Sequence, residues 1–595
     1  MALKIEDYAL IGDCQAAALV GSNGSIDWLC LPRFDSAACF AALLGTPDHG
    51  RWLIAPAQPI RQTRRCYRGD TLVLDTTFET ETGVVTLTDC MPPRTGQPDL
   101  VRLVRGVRGR VRMYCELIVR FDYGSIVPWV RREPGGIRLI GGPDMLHLRT
   151  PVALRGENWK TIGEFDVAEG EEVPFVLNWH PSHLPPPPPI DPQAAVASTV
   201  DFWTGWASRC TYDGPYRDAV MRSLITLKAM TYQPTGGIVA AATTSLPEHI
   251  GGVRNWDYRY CWLRDATFTL SALIQCGYTE EARDWRAWLL RAVAGRGTEL
   301  NIMYGLAGER RLPELELPWL PGYENSRPVR IGNGAYNQFQ LDVFGEVMDC
   351  LHLSRLHGLD DHSADDWWIE RQLLGALEGL WHQPDEGIWE IRGPRQHFTH
   401  SKLMAWVAFD RAVADARRFG LDGPVQRWSQ LRDQIHAEIC DRGFSRQRNS
   451  FVQHYGSQEV DAALLMLAEV GFLPATDPRI VGTVAAIEQD LLRDGFVERY
   501  RTHSGIDGLP QGEGAFILCT FWLADNYALM GRLDEAREVF ERILAVRNDV
   551  GLLAEEYDPH LRRQLGNYPQ AFSHLGLIDT ALNLTHHTKP AEVRR

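Results

Sequence analysis

Five consecutive prolines, Pro185–Pro189, divide this chain into two regions of different periodicity. A proline has no N–H and a fixed φ, so neither sheet nor helix runs through such a stretch, which favours a stiff extended spacer. On the amino-terminal side apolar residues recur at every second position. Val111, Met113, Cys115, Leu117, Val119 and Phe121 alternate with mostly polar neighbours, the pattern of a half-buried strand. Residues 72–78 and 84–87 read as a hairpin and 173–178 as a further strand. The expectation is a β-sandwich over residues 1–180, a proline-rich and helical linker over 181–212, and a second domain over 213–590. A chain of 595 residues has material for more than one core.

Beyond the prolines the period is helical. Ala282, Trp285, Leu289 and Val293 form one apolar stripe, and Leu533, Ala536, Val539, Phe540, Ile543 and Leu544 another. Gly277, Gly358, Gly420, Gly471 and Gly531 each close an apolar run and precede an amphipathic one, as helix-ending glycines do. The segments 277–283 and 531–537 resemble each other, which marks a helical-hairpin repeat. The pattern predicts helices near 213–232, 260–277, 279–296, 335–358, 363–382, 398–419, 422–442, 457–472, 478–492, 513–530, 532–548 and 567–586. As six hairpins they make an α/α toroid. The connections from odd to even helices are long and share one rim, whereas the glycine turns of the other rim are short. Long connections in a compact domain are usually functional.

Two of these connections carry a carboxylate beside a large aromatic: Trp389-Glu390, and Glu555-Glu556 followed by Tyr557. Either alone also reads as a solvated loop carboxylate, the second paired with Arg562 or Arg563. Together on one rim they supply what cleavage of a glycosidic bond requires. One carboxyl stays protonated and donates to the leaving oxygen, while the other is ionised and activates water. The same rim holds residues 255–265, with Trp256, Trp262 and the couple Arg264-Asp265, and the run Arg499-Tyr500-Arg501. An Arg-Asp couple hydrogen-bonds hydroxyls in both directions, Arg donating and Asp accepting, and rings such as Trp256, Trp262, Trp389, Tyr500 and Tyr557 stack on a sugar's C–H faces. Alone, Arg264-Asp265 would equally be an ion pair at a helix start.

Composition narrows the partner. A formal net charge of −15 argues against nucleic acid or an anionic membrane and fits a neutral small molecule such as a sugar. No apolar run approaches the roughly 18 residues of a membrane span. The amino terminus has no basic region followed by an apolar stretch, so a cytoplasmic location is expected. The 12 cysteines are scattered singly, and Cys115, Cys261, Cys350 and Cys519 fall in core patterns, so neither a disulfide framework nor a zinc site is expected. His397 and His400 lack a matched third ligand. No phosphate-loop, dinucleotide or metalloprotease motif occurs in a suitable context, and no metal or cofactor is implied.

Residues 246–265, Gly387-Ile-Trp-Glu390, Glu498-Arg-Tyr500 and Ala554-Glu-Glu-Tyr557 resemble glycoside hydrolase family 15, the glucoamylase and bacterial trehalase family. Tyr8–Asp13 and Gly24–Ser36 resemble the amino-terminal domain of its trehalase-like bacterial members. The resemblance spans nearly the whole chain, with several long motifs in the same order. It implies a β-sandwich (supersandwich) followed by an (α/α)6 barrel that releases glucose from a non-reducing end with inversion. It also implies Glu390 as general acid, Glu555 as general base, Arg264 and Asp265 on the terminal glucose, and Arg499 as a further glucose-binding residue. Two positions depart from the glucoamylase pattern: Ile391 follows Glu390 where a second Glu is common, and Glu556 follows Glu555 where Gln is common. The first alters the subsite for the leaving sugar, and the second leaves Glu556 as a rival base.

The chemistry expected is hydrolysis of α,α-trehalose, with short α-1,4 or α-1,6 glucans as the alternative substrates. An inverting disaccharide phosphorylase and a non-catalytic sugar-binding protein are further alternatives. Glu390, desolvated by Trp389, would keep its proton near neutrality, and Glu555, among polar neighbours, would stay ionised. Inversion requires carboxyls ~6.5–9.5 Å apart, and retention ~5 Å.

Overall fold

The structure, a computed structural model, describes residues 2–295, 297–359 and 364–586. The expected helix start at 363 and domain end at 590 lie outside them. The amino-terminal region is built on one long strand, Asp99–Ile118, that belongs to two sheets. Its first half pairs with Gly83–Cys90 and Glu172–Pro181, and its second half with Arg51–Pro56 and Lys160–Ala168. The expected hairpin is Leu74–Thr80 with Gly83–Cys90, and the first of these strands alternates strictly between buried and half-buried positions. Such alternation buries one face and leaves the other near solvent. Trp52 and Phe175, from strands on opposite halves, meet at 6.3 Å in the core. Arg102 and Asp89, wholly buried, form an ion pair at 2.7 Å, and Arg102 also donates to the carbonyls of Trp52 and Gly24. This pairing and these bonds make the buried charge tolerable.

After the prolines comes the linker helix Pro192–Ala207, capped by Asp191. The helical region follows as alternating hairpins. The even helices, Ala266–Gln275, Asp342–Leu356, Thr399–Phe419, Met466–Glu469, Ile517–Leu529 and Ala571–His586, pack each on the next, and the last on the first. They form the inner ring of an (α/α)6 barrel. Their sequences explain this position: residues 342–355 are buried without interruption, as a helix enclosed on all sides must be. The outer helices, such as Thr279–Val293 and Leu533–Ala545, bury a single stripe.

Three even helices start six or more residues later than expected, for one reason. Cys261–Trp262 pairs as a strand with Met303–Tyr304, so the second helix begins only at Ala266. From Gln338, which is extended, the chain runs beside residues 385–391 before the helix starts, and Leu341 N–H donates to Asp385 at 3.0 Å. The predicted helix 457–472 shrinks to a 3-10 turn and Met466–Glu469, because Asp461 bridges to Tyr500 and Ala462 N–H donates to Arg499 O at 2.8 Å. In each case the rim claims the first turn of the helix. Among the described residues no helix is long and apolar enough to cross a membrane.

The sandwich is tied to the barrel by buried hydrogen bonds. Trp28 Nε1 donates to Ala242 O at 2.9 Å, Tyr568 Oη to Tyr8 O at 2.7 Å, and Arg259 Nη1 to Ser36 O at 3.0 Å.

Candidate active site

The long connections meet at one rim around a cavity of the kind that takes a small molecule, walled by aromatic side chains and a few charged groups. Buried Ile388, Trp389, Arg499 and Phe516 line it together with half-buried Arg264, Trp256 and Leu509 and exposed Arg392. Tyr258, Glu390 and Tyr500 also contribute to the wall.

Arg264 and Asp265 stand immediately before the helix Ala266–Gln275. Arg264 Nε donates to Asp265 at 3.1 Å and Nη1 to Ile388 O at 3.3 Å, so the couple is oriented before any ligand binds. Glu390 has φ +55°, a left-handed conformation that non-glycine residues seldom adopt. The turn that imposes it is held by Glu390 N–H to Gly387 O at 3.0 Å and by Gln338 Nε2 to the carbonyls of Glu390 and Ile391. Glu390 Oε1 accepts from Trp262 Nε1 at 2.6 Å and lies 3.4 Å from Arg264 Nη1. Trp262 therefore acts on the carboxylate and is not part of the cavity wall. Trp389 is anchored elsewhere: its Nε1 donates to buried Asp461 at 3.2 Å, and its ring meets Tyr500, Phe516 and Trp522. Burial pushes the Asp461 carboxyl up to about 7.

Glu555 is only 1% exposed. Its Oε2 accepts from Asn567 N–H at 3.3 Å, and its Oε1 has no hydrogen-bond partner among the described residues. The chain passes so close at Gly566, φ +74°, that a Cβ there would lie 2.5 Å from Oε2. Burial, and then the charge of Glu248, push the Glu555 carboxyl up to about 8. The expectation that polar neighbours leave it an ordinary carboxylate is thereby corrected, because burial outweighs the help it receives from Arg499, Tyr258 and Asn567. Tyr258 is pushed well above a normal phenol by burial and then by the charges of Glu555, Glu248 and Glu390, which sets it among all three.

Glu556 and Glu555 part company at the strand Glu556–Asp558. Glu556 Oε2 accepts from Gly514 N–H at 2.8 Å, and its Oε1 lies 3.5 Å from Arg499. Tyr557 packs on Phe496 at 5.0 Å and does not line the cavity. Arg499 Nη2 donates to Glu248 at 2.7 Å and Glu513 at 2.8 Å, so the arginine expected on glucose is already engaged through that nitrogen. Glu248, Glu513 and Glu556 bring carboxylate oxygens within 4.8 Å of one another, and the Arg499 guanidinium supplies the countercharge. Arg254 adds to this by pairing with Asp507 at 2.5 Å, and Tyr500 Oη donates to the same carboxylate at 2.9 Å.

Sequence reasoning did not select Glu248, Tyr258, Arg254, Asp507 or Glu513. Tyr258 lay inside the aromatic run already singled out, and its position between three carboxylates emerges only from the fold. Glu513, between two glycines, carries no local signal.

Residues 214–582 match glycosyl hydrolases family 15, and residues 1–169 match a trehalase-like N-terminal domain. The chain is 37% identical to a trehalase of Mycobacterium tuberculosis over 99% of its own length and 90% of that protein. It is 36% identical to a trehalase of Thermoplasma volcanium, covering 98% of this chain and 93% of that one. An isomaltose glucohydrolase of Kribbella flavida is 26% identical over 60% of this chain and 87% of its own. A bacterial glucoamylase solved with acarbose shares the fold at a TM-score of 0.75 and 12% identity, with 100% of this chain and 96% of that one covered.

Proposed function

This chain belongs to glycosyl hydrolase family 15, and on that premise we propose that it hydrolyses α,α-trehalose to two glucose molecules with inversion. One observation supports two working carboxyls: each of the two glutamates has one oxygen held by the protein, Glu390 Oε1 by Trp262 and Glu555 Oε2 by Asn567, and the other left for the reaction. The division of labour between them follows the family resemblance. Arg264 and Asp265 hold the terminal glucose at the buried end, donating and accepting respectively. Glu390 keeps Oε1 bound and delivers a proton from Oε2 to the leaving oxygen. Glu555 accepts a proton from water at Oε1, and that water attacks the anomeric carbon from the opposite side. Arg499 is the positive charge that favours the ionised base against the surrounding carboxylates.

The choice of trehalose is supported by relatives bearing that activity in their names over nearly full length, whereas the isomaltose-acting relative aligns with about three fifths of this chain. Steady-state rates on trehalose, maltose and isomaltose test it. A kcat/KM for trehalose at least about tenfold above the other two is expected, as for a site that pairs the hydroxyls of one sugar and leaves those of another unpaired. Faster turnover of maltose or isomaltose would overturn the substrate, and glucose 1-phosphate among the products would overturn hydrolysis.

A further inference from the structure

Arg392 lies two residues beyond Glu390, as an exposed part of the cavity wall. Its backbone is fixed: Arg392 N–H donates to Asp507 O at 2.8 Å, and a Cβ on Gly393 would come 2.5 Å from Ile506 O. Its side chain is fixed as well. Nη2 donates to Glu314 at 3.2 Å, and the guanidinium carbon stands 4.9 Å from the centre of the Trp256 ring. Arg330 meets the same ring at 4.6 Å and the same Glu314 at 3.6 Å. Gly334 makes room for the pair, since a Cβ there would lie 2.9 Å from Arg392 Nη1. A half-buried tryptophan and a guanidinium are thus set in one rigid corner, and only one guanidinium nitrogen of Arg392 donates to protein among the described residues.

The position of this corner says what it meets. In a pocket that takes a terminal glucose at its buried end, the leaving group lies toward the open end, past the acid. We propose that Arg392, held against Trp256, is a specificity-determining residue that donates hydrogen bonds to the hydroxyls of the leaving glucose. The inference rests on the hydrolytic reading above. It also gives the absence of a second glutamate after Glu390 a counterpart: the buried Ile391 cannot reach the leaving sugar, and the next residue in the turn does.

The test compares trehalose with α-D-glucosyl fluoride, whose leaving group occupies no sugar subsite, for wild type, Arg392→Lys and Arg392→Leu. The ratio of kcat/KM values, trehalose over fluoride, is expected to fall at least about tenfold in Arg392→Leu, as for loss of a charge-assisted hydrogen bond, and less in Arg392→Lys. The alkaline limb of the trehalose pH profile, which reports the general acid, is expected to stay in place. An equal loss on both substrates, no loss on either, or a displaced alkaline limb would overturn the assignment. A wild type that releases fluoride and leaves trehalose intact overturns the substrate reading, and this inference falls with it.

Discussion

Four carboxyl groups, Glu248, Glu513, Glu555 and Glu556, surround the charge of Arg499, and burial removes the water that would screen them from one another. They share Arg499, with Arg254 reaching only Glu513 at 3.4 Å, so the proton affinity of Glu555 depends on its neighbours' charge states. Its raised carboxyl means that kcat/KM should fall on the acid side with a midpoint well above the ordinary carboxylate range, toward about 8. Glu248→Gln removes a negative charge and releases Arg499 Nη2 from its nearest partner, and both changes favour the ionised base. The acid limb should therefore move to lower pH, by about one unit if the lost repulsion is worth ~1.4 kcal/mol. A pH profile of kcat/KM checks this, and a limb that stays or moves upward contradicts it. Burial and crowding explain why sequence reasoning expected an ionised Glu555: its chain neighbours are polar, but what sets its charge is its burial and groups distant in the chain, Glu248 and Arg499.

At the scale of elements, the helices were largely legible and their first turns were not. Apolar spacing located the amphipathic outer helices directly, whereas inner helices such as Asp342–Leu356 also bury charged residues (Glu346, Asp349, Arg355) and were located from the closing glycines and the hairpin repeat. Helix starts at the rim depend on partners far along the chain, such as Arg499 O for Ala462, and these leave no periodic mark. Packing of inner helices gives a test at this scale. Gly345, in Asp342–Leu356, faces Thr399–Phe419 so closely that a Cβ would lie 2.2 Å from Met404 O. Gly345→Ala should cost about 1–3 kcal/mol of stability as overpacking against backbone. Gly375, in Ala364–Leu380, is exposed with nothing within 4 Å of an added Cβ, and Gly375→Ala should stabilise by about 0.5–1 kcal/mol. Thermal and denaturant midpoints should move in opposite directions, and a shared direction would contradict the packing described.

Across the whole molecule the sandwich is joined to the base through the chain's own hydrogen bonds. Trp28 holds Ala242, the adjacent Thr243 Oγ1 donates to Asn567 Oδ1 at 2.9 Å, and Asn567 N–H donates to Glu555. The Tyr8 and Trp28 motifs could be read from sequence as a resemblance, and their physical role, buttressing the segment that bears on the base, required the fold. Counting odd-to-even connections placed both glutamates on one rim; in the structure Glu390 and Tyr258 line the cavity, and Glu555 lies buried outside its lining, close enough to Tyr258 to be affected by it. The central claim is that water activated by Glu555 attacks opposite the bond that Glu390 protonates. Proton NMR of the first glucose released from α,α-trehalose tests this directly. One β-glucose should appear for each α-glucose before mutarotation, with the signal lost in Glu390→Gln and Glu555→Gln, whereas release of α-glucose alone would contradict inversion and the roles given to both residues.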